Sequence, residues 1–114
     1  MKHGINKVTL VGNVGEAPTI RKTEDNQKVA NFSVATNEVY KDKDGNEIKK
    51  TQWHRIVAWR GNAEIISQYV KKGDPLYIEG KIQTNTWEDK EGKKKYSTEI
   101  YCESFLMLPR REND

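Results

Sequence analysis

Apolar and polar residues alternate with a period of two along most of the chain, which is typical of strands buried on one face and solvated on the other. The alternation predicts five strands, at residues 7–14, 28–37, 49–59, 75–87 and 96–103, with a further extended segment at 19–22. Gly12, inside the first strand, predicts a bend or bulge. Each of four strands has an apolar face. It carries Val8, Leu10 and Val14 in the first strand; Ala30, Phe32 and Val34 in the second; Leu76, Ile78, Gly80 and Ile82 in the fourth; and Tyr96, Thr98, Ile100 and Cys102 in the fifth.

One segment has a helical period instead. Between residues 61 and 73, apolar side chains recur at three- and four-residue spacing, at Ile65, Ile66, Tyr69 and Val70. Asn62 is suited to cap the start of this helix and Gly73 to end it. Lys71 and Lys72 would fall in the last turn, where cations interact favourably with the helix dipole. We therefore predict one helix between the third and fourth strands.

Five strands with one helix between the third and the fourth form the element order of an OB-fold, an all-β, five-stranded Greek-key barrel. Two hairpins are predicted by turn residues, at Asp42-Lys43-Asp44-Gly45-Asn46 and around Gly92. With 114 residues, the chain is long enough for one such domain and too short for two. We expect the domain to cover residues 1–108 and a short polar tail to cover 109–114.

The charge balance alone does not identify a partner. The 20 basic and 17 acidic residues give a net charge of +3, which is a mild excess rather than a polycationic block. The single cysteine, Cys102, excludes an intramolecular disulfide and suits a reducing compartment. No apolar stretch follows Met1-Lys2-His3-Gly4, and no apolar run is long enough to cross a membrane, so we expect neither a leader peptide nor a membrane span. We therefore expect it to be cytoplasmic and to have no membrane partner.

The third strand contains an unusual set of aromatic residues. Alternation places its side chains in two rows: Trp53, Arg55, Val57 and Trp59 on one side and His54, Ile56 and Ala58 on the other. Because Ile56 and Ala58 are small and apolar, their row is expected to face the core, which leaves the tryptophans outside. Trp87 likewise lies on the polar row of the fourth strand, beside Tyr77, Glu79, Lys81, Gln83 and Asn85. Exposed tryptophans are unfavourable unless a partner covers them.

Both predicted hairpins are rich in lysine and have aromatic residues at their feet. Tyr40 and Trp53 lie at the foot of the first, and Trp87 and Tyr96 lie at the foot of the second. A base stacked on Trp or Tyr contributes about 1 to 3 kcal/mol with little dependence on sequence. Lysine and arginine bind phosphates in a salt-dependent way. We predict sequence-independent binding of single-stranded DNA, with phosphate contacts from Arg55, Lys43, Lys49, Lys50, Lys72, Lys81, Lys93 and Lys94.

Other chemistry has little support. Asp42, Asp44 and Glu47 resemble a fragment of a calcium loop, but the spacing of the glycine and of the last carboxylate is wrong. His3 and His54 have no partners at zinc-ligand spacing. Since no nucleophile elbow or phosphate loop is present, we expect no catalytic residues, no metal and no cofactor. Three alternatives stay open: a primosomal or other protein-interaction OB module with secondary nucleic-acid binding, an RNA-binding OB domain, and a metal-dependent nuclease.

Several motifs follow one another in order along residues 4–108. They are Asn6-Lys7-Val8, Val11-Gly12-Asn13, Val29-Ala30-Asn31-Phe32-Ser33-Val34-Ala35-Thr36, Trp53-His54-Arg55, Tyr69 with Lys72-Gly73, and Tyr77-Ile78-Glu79-Gly80-Lys81. Together they resemble the bacterial single-stranded DNA-binding protein (SSB) family. The resemblance implies a homotetramer of OB-folds that protects single-stranded DNA in replication, recombination and repair, in the bacterial cytosol or nucleoid. It also implies base stacking on Tyr40, Trp53, Trp59 and Trp87, and subunit contacts through His54 and Tyr77.

The end of the chain departs from the family pattern. Such proteins usually continue into a Gly, Pro and Gln-rich linker with an acidic tip that recruits other repair enzymes. This sequence stops at Arg110-Arg111-Glu112-Asn113-Asp114. Either the chain is a naturally short version or the tail has been removed, and recruitment of replication and repair partners through such a tail is in doubt.

Overall fold

The computed structural model describes residues 3–110, which form six strands and one helix. The predicted order of elements is confirmed, although the four long strands extend further than predicted. Of the predicted polar tail, residues 111–114 lie outside the described residues. In chain order the elements are β1 (Val8–Val14), β2 (Thr19–Lys22), β3 (Lys28–Lys41), β4 (Glu47–Trp59), α1 (Arg60–Tyr69), β5 (Pro75–Glu88) and β6 (Lys94–Met107).

The strands form one sheet in the order β1-β5-β6-β4-β3-β2, and β1 also pairs with β3. This second pairing, at Asn13–Ala35 and Val14–Val34, closes five strands into a barrel and leaves β2 on its edge, paired with β3. β4 and β6 are parallel, whereas the other neighbouring strands are antiparallel. Since α1 connects the third and fourth strands of the barrel, the predicted five-stranded OB-fold is confirmed.

Gly12 marks a close approach of two strands and not the predicted bulge. A Cβ atom at Gly12 would lie 2.2 Å from the carbonyl oxygen of Ala35, so only glycine lets β1 reach β3 where the barrel closes. The register of β1 against β5 runs from Val8–Gly80 to Asn13–Pro75 without interruption. The irregularity lies instead in the β5–β6 pair, between Glu79 and Gly80.

The core fills the barrel and the space between the barrel and α1. The predicted inward rows supply most of this core, whose buried side chains are Val14, Ala30, Phe32, Val34, Ile56, Ala58, Ala63, Ile66, Val70, Leu76, Ile78, Ile100 and Cys102.

Cys102 is the one cysteine of the chain. Burial raises the pKa of its thiol to about 11, which keeps it protonated and unreactive.

Three residues of the predicted apolar rows, Ile82, Tyr96 and Thr98, are exposed, and this part of the prediction is wrong. Pairing of β5 with β1 ends at Val8–Gly80, so no strand of the barrel covers the next inward position, Ile82. The side chain of Asn6 hydrogen-bonds the backbone N–H and C=O of Ile82 there, both at 2.8 Å. Alternation thus predicts the face on which a residue lies, but not whether anything covers it.

Helix α1 buries a narrower face than its sequence predicts. Ala63 and Ile66 are buried, whereas Ile65 and Tyr69 are exposed, contrary to the prediction. Successive helical residues point about 100° apart, so Ile65 cannot share a narrow contact with the barrel beside Ile66. α1 is therefore held by a single stripe of small and medium side chains that continues to Val70.

The predicted caps of α1 are also wrong. The N-cap is Trp59, without a side-chain hydrogen bond, and the C-cap is Val70. Asn62 lies inside the helix and donates its amide to the carbonyl oxygen of Glu103 at 3.2 Å. Gly73, with a φ of 89°, lies in the turn that follows, as does the Lys71–Lys72 pair. The helix ends before these residues because the chain must turn into β5.

Asp74 ties this turn to the chain that follows β6. Its buried carboxylate accepts hydrogen bonds from the backbone N–H of Lys71 at 2.9 Å and from Nε of Arg110 at 2.7 Å. Burial alone would raise the pKa of Asp74, but these two donors outweigh it and lower the pKa. The contact therefore stabilises the fold at neutral pH, and its contribution is lost as the pH falls through the folded-state pKa.

Within residues 3–110, no helix is long and apolar enough to span a membrane.

Candidate nucleic-acid interface

Two long hairpins project from one end of the barrel. β4 and β6 pair only at Ile56–Ile100 and Val57–Tyr101, so the two hairpins diverge beyond that point. We call the β3–β4 hairpin from residue 36 to 52 the first arm and the β5–β6 hairpin from residue 83 to 99 the second arm. Both arms keep continuous antiparallel pairing to their tips.

The tips of the two arms have the same turn. The carboxylate of Asp42 accepts hydrogen bonds from the backbone N–H groups two and four residues further on, at 2.9 and 2.8 Å. Asp89 does the same at the second tip, at 2.9 Å in both cases. Gly45 and Gly92 take the positive φ that the turn requires, 80° and 81°. Asp42 thus caps a turn, and within residues 3–110 no cluster of His, Cys, Asp and Glu is arranged to hold a metal.

The four predicted stacking residues are all on the surface, with relative exposures of 50% for Tyr40, 58% for Trp53, 38% for Trp59 and 50% for Trp87. Trp53 lies at the foot of the first arm, against the loop between β1 and β2. A Cβ atom on Gly15 of that loop would lie 2.4 Å from the Trp53 ring. The glycine therefore allows the loop to pack directly on the indole and hold it in place.

A cleft of about 760 Å³ lies between the arms and brings together residues that are distant in sequence. Trp53 and Arg55 line one wall, and Trp87 and Tyr96 line the other. Arg55 also lines a second cleft of about 320 Å³, beside the loop between β1 and β2. Arg55 therefore lies where the two clefts meet.

Tyr40 and Trp59 lie outside the cleft between the arms. Tyr40 pairs with Ile48 and Trp53 pairs with Ala35, so alternation puts Tyr40 and Trp53 on opposite faces of the first arm. Trp59 packs instead against Tyr101 of β6, with ring centroids 6.4 Å apart and planes at 60°. The structure thus distributes the four predicted stacking residues over three places.

Val57, predicted on the same exposed row as Trp53 and Trp59, is buried. It occupies the middle of the sheet, between Asn31 of β3 and Tyr101 of β6, and these neighbours cover it. The exposed row of β4 is therefore interrupted by one core position.

The predicted phosphate-binding residues are all exposed. Lys72 lies 4.0 Å from the carboxylate of Glu16, at the limit of an ion pair. None of the others is within ion-pair distance of an acidic group among residues 3–110, which leaves their charge available to an anion. These others are Arg55, Lys43, Lys49, Lys50, Lys81, Lys93 and Lys94.

The two residues predicted at subunit contacts are half-buried. His54 shares a hydrogen bond of 2.9 Å between its Nε2 and Thr36 Oγ1. The hydroxyl of Tyr77 donates to the carboxylate of Glu79, and this bond raises the pKa of Tyr77. In register, Tyr77 lies between Val11 of β1 and Leu106 of β6, both of which are exposed. These three side chains form an apolar patch that we call the β1–β5–β6 patch.

Two aromatic residues of this surface were absent from the predicted site. Tyr96 was assigned to an apolar row and is exposed in the cleft between the arms. Tyr101 lies between the buried Ile100 and Cys102. Alternation alone puts its side chain on the outer face. The signal for Tyr101 was therefore present in the sequence.

The chain matches the model of the single-strand binding protein family over residues 5–108. It is 50% identical over 114 residues to single-stranded DNA-binding protein 1 of Chlorobaculum tepidum, covering 99% of this chain and 70% of that protein. It is 43% identical over 111 residues to single-stranded DNA-binding protein 1 of Xylella fastidiosa, covering 96% of this chain and 82% of that protein.

Solved structures of single-stranded DNA-binding proteins have the same fold as this chain. The fold superimposes on Plasmodium falciparum SSB in complex with ssDNA with a TM-score of 0.88 and 33% identity, covering 96% of this chain and 99% of that chain. A deletion mutant of the single-stranded DNA binding protein from Thermus aquaticus gives a TM-score of 0.84 at 26% identity, over 97% of this chain and 54% of that chain. The chain belongs to the single-strand binding protein family.

Proposed function

We propose that the chain binds single-stranded DNA without sequence preference and protects it during replication, recombination and repair. The observation that carries this proposal is the exposure of three tryptophans on the surface of the barrel and its arms, together with an arginine and lysines that lack acidic partners within residues 3–110. Such a surface is unfavourable in isolation and suits a ligand with flat apolar bases and a regular negative charge.

The mechanism follows from the geometry of the arms. Bases stack on Trp53 and Trp87 in the cleft between the arms, and on Tyr40 and Trp59 outside it. Each stacked base contributes about 1 to 3 kcal/mol. Arg55, where the two clefts meet, and the lysines of the arms bind the phosphates. Because every base has a stacking face and every nucleotide a phosphate, binding needs no particular sequence.

We assign this activity to residues 1–108 as one DNA-binding domain. The family match over residues 5–108 supports the assignment. The relatives in Chlorobaculum tepidum and Xylella fastidiosa are single-stranded DNA-binding proteins, and both organisms are bacteria. Bacterial cytosol or nucleoid is the place of action that this suggests. The site is a binding surface, with stacking and charge in place of catalytic chemistry.

The test is a fluorescence anisotropy titration of the chain with a labelled dT oligonucleotide, beside duplex DNA and RNA of matched length, at low and high salt. We expect tight binding to dT that weakens as salt rises. The slope of log affinity against log salt concentration should be about −0.7 per phosphate contact. Duplex DNA should bind far more weakly. Failure of the folded chain to bind dT at low salt would overturn the proposal and leave protein partners as the function to test.

The homotetramer implied by the family also has a structural basis in this chain. The β1–β5–β6 patch is exposed and apolar, and β1 has an unpaired edge from residue 8 to 12 within the described sheet. A second copy would cover both and would contact Tyr77 at the patch, while a subunit contact through His54 stays a prediction from the family. Light scattering after size exclusion tests this. Leu106→Asp should reduce the mass to that of smaller species, whereas Ile65→Asp on α1 should leave the mass unchanged.

A further inference from the structure

The pair of Trp59 and Tyr101 has the geometry of a separate binding place, away from the cleft between the arms. The two rings lie 6.4 Å apart at 60°, which is a tilted contact and not a face-to-face stack. Tilted pairs of this kind are favourable and hold each ring in one orientation. The contact leaves 38% of Trp59 exposed, so part of the indole is open to a ligand.

The strand register adds a positive charge at the same place. Lys81 of β5 is directly opposite Tyr101 of β6, and both follow the outer row of their strands. Lys81 is exposed and has no ion pair within residues 3–110. The Tyr101 hydroxyl has no hydrogen bond to any of those residues either. An aromatic pair, a free hydroxyl and a free ammonium thus meet on one face.

We propose that Trp59, Tyr101 and Lys81 form a nucleotide subsite of their own, in which a base stacks on Trp59 against the edge of Tyr101 and Lys81 binds a neighbouring phosphate. Tyr101 is then a base-contacting residue. The subsite rests on the proposed function and extends it. Trp53 and Trp59 are six residues apart on β4, about 20 Å along a strand, so they must take different nucleotides. Arg55 lies between them on the same row and connects the subsite to the cleft.

The first test uses Tyr101→Leu, which removes the ring but keeps apolar bulk, and Tyr101→Phe, which keeps the ring. Anisotropy titration with labelled dT should show a loss of about 10-fold for Tyr101→Leu, near the lower end of what one stacked base contributes. Tyr101→Phe should stay within about 2-fold because the stacking ring is unchanged. Tyr69→Leu, at an exposed tyrosine on α1, is the matched control and should bind like the parent chain.

The second test detects contact directly and needs no variant. A dT oligonucleotide carrying 5-iodouracil is cross-linked to the parent chain by light, and the modified residues are found by mass spectrometry. We expect adducts on both Trp59 and Tyr101.

The third test removes the charge of Lys81. Lys81→Gln should reduce the magnitude of the slope of log affinity against log salt concentration by about 0.7, without changing the packing of the aromatic pair.

The outcomes separate this proposal from the proposed function. Adducts on Trp53 but none on Tyr101, with an unchanged salt slope for Lys81→Gln, would overturn the subsite and leave single-stranded DNA binding intact. Adducts on Trp59 alone would also overturn it, since Tyr101 would then only support its neighbour. Failure of the parent chain to bind dT at all would overturn the proposed function instead. If Tyr101→Leu does not fold, the cross-link and Lys81→Gln decide.

Discussion

The two arms end in the same turn but hold their tryptophans at different places. Trp53 lies at the foot of the first arm and packs against Gly15 of the barrel. Trp87 lies two residues before Asp89 of the second tip, opposite Lys95, and not at the foot of its hairpin as predicted. Tyr40, also predicted at a foot, likewise lies two residues before Asp42 of the first tip. The exposures of Trp53 and Trp87 are similar, 58% and 50%. The same chemistry is thus presented once from a rigid base and once from the end of a long ribbon.

This difference bears on the binding energy that each ring can contribute. A side chain that is already held in place loses less conformational freedom when a ligand binds. Trp53 is held by the loop between β1 and β2, whereas Trp87 lies near the tip of its arm, beyond the reach of that loop. Equal exposure therefore does not imply equal contribution, and we expect Trp53 to provide the main stacking site and Trp87 a weaker one.

Removal of the anchored ring should have the largest effect. We expect Trp53→Ala to weaken binding of labelled dT by about 3 kcal/mol, roughly 100-fold or more, at the upper end of the stacking range. The measurement is anisotropy, which does not depend on the remaining tryptophans. Thermal unfolding should be nearly unchanged because the ring is exposed. A loss smaller than that of Trp87→Ala would refute the comparison.

Displacing the loop that holds Trp53, while keeping the Trp53 ring, should have the next largest effect on DNA affinity. Valine at Gly15 places a Cβ where the Trp53 ring now lies, so Gly15→Val must shift either the loop or the indole. We expect dT affinity to fall by about 1.5 to 2 kcal/mol, which is part of one stacking contribution. Gly4→Val is the control, since a Cβ there meets no atom within 4 Å. If both variants bind equally well, the loop does not hold Trp53.

Removal of the ring from the second arm should have a smaller effect. We expect Trp87→Ala to cost about 1 kcal/mol, roughly 5-fold in dT affinity. When the oligonucleotide is shortened, the affinity loss caused by Trp87→Ala should disappear before the loss caused by Trp53→Ala does. The reason is that a short strand held at Trp53 need not reach the second tip. A Trp87→Ala loss that persists unchanged at the shortest binding length would contradict the assignment of Trp53 as the main site.

The smallest effect is expected from the one charge that distinguishes the tips. The fifth turn residue is Asn46 in the first arm and Lys93 in the second, and in both turns its backbone N–H binds the aspartate. Lys93→Asn should therefore keep the turn and make the slope of log affinity against log salt concentration about 0.7 less steep. Asn46→Lys should make this slope steeper by a similar amount. No change in slope for either variant would show that the tips do not reach phosphates.

Much of this surface follows from alternation alone. The exposed rows of Trp53, Trp59 and Trp87 were predicted correctly, and Tyr101 could have been. The errors in the predicted burial of strand residues have one cause. Ile82 is exposed because pairing with β1 stops before it, and Val57 is buried because Asn31 and Tyr101 cover it. Which strands flank a residue depends on chain far away in sequence, and the local pattern carries no information about it.

The sequence by itself determined the order of the strands and the helix, the row on which each strand residue lies, and the Asp and Gly residues of both tips. These depend on neighbours within a few residues, where backbone geometry and local hydrogen bonds decide the outcome. Only the tertiary structure decided which exposed aromatics share a surface: Trp53 and Trp87 line the cleft between the arms, Trp59 packs against Tyr101 on the outer face, and Tyr40 lies apart from both. That outcome depends on barrel closure, on the two-pair contact between β4 and β6, and on the divergence of the arms beyond it.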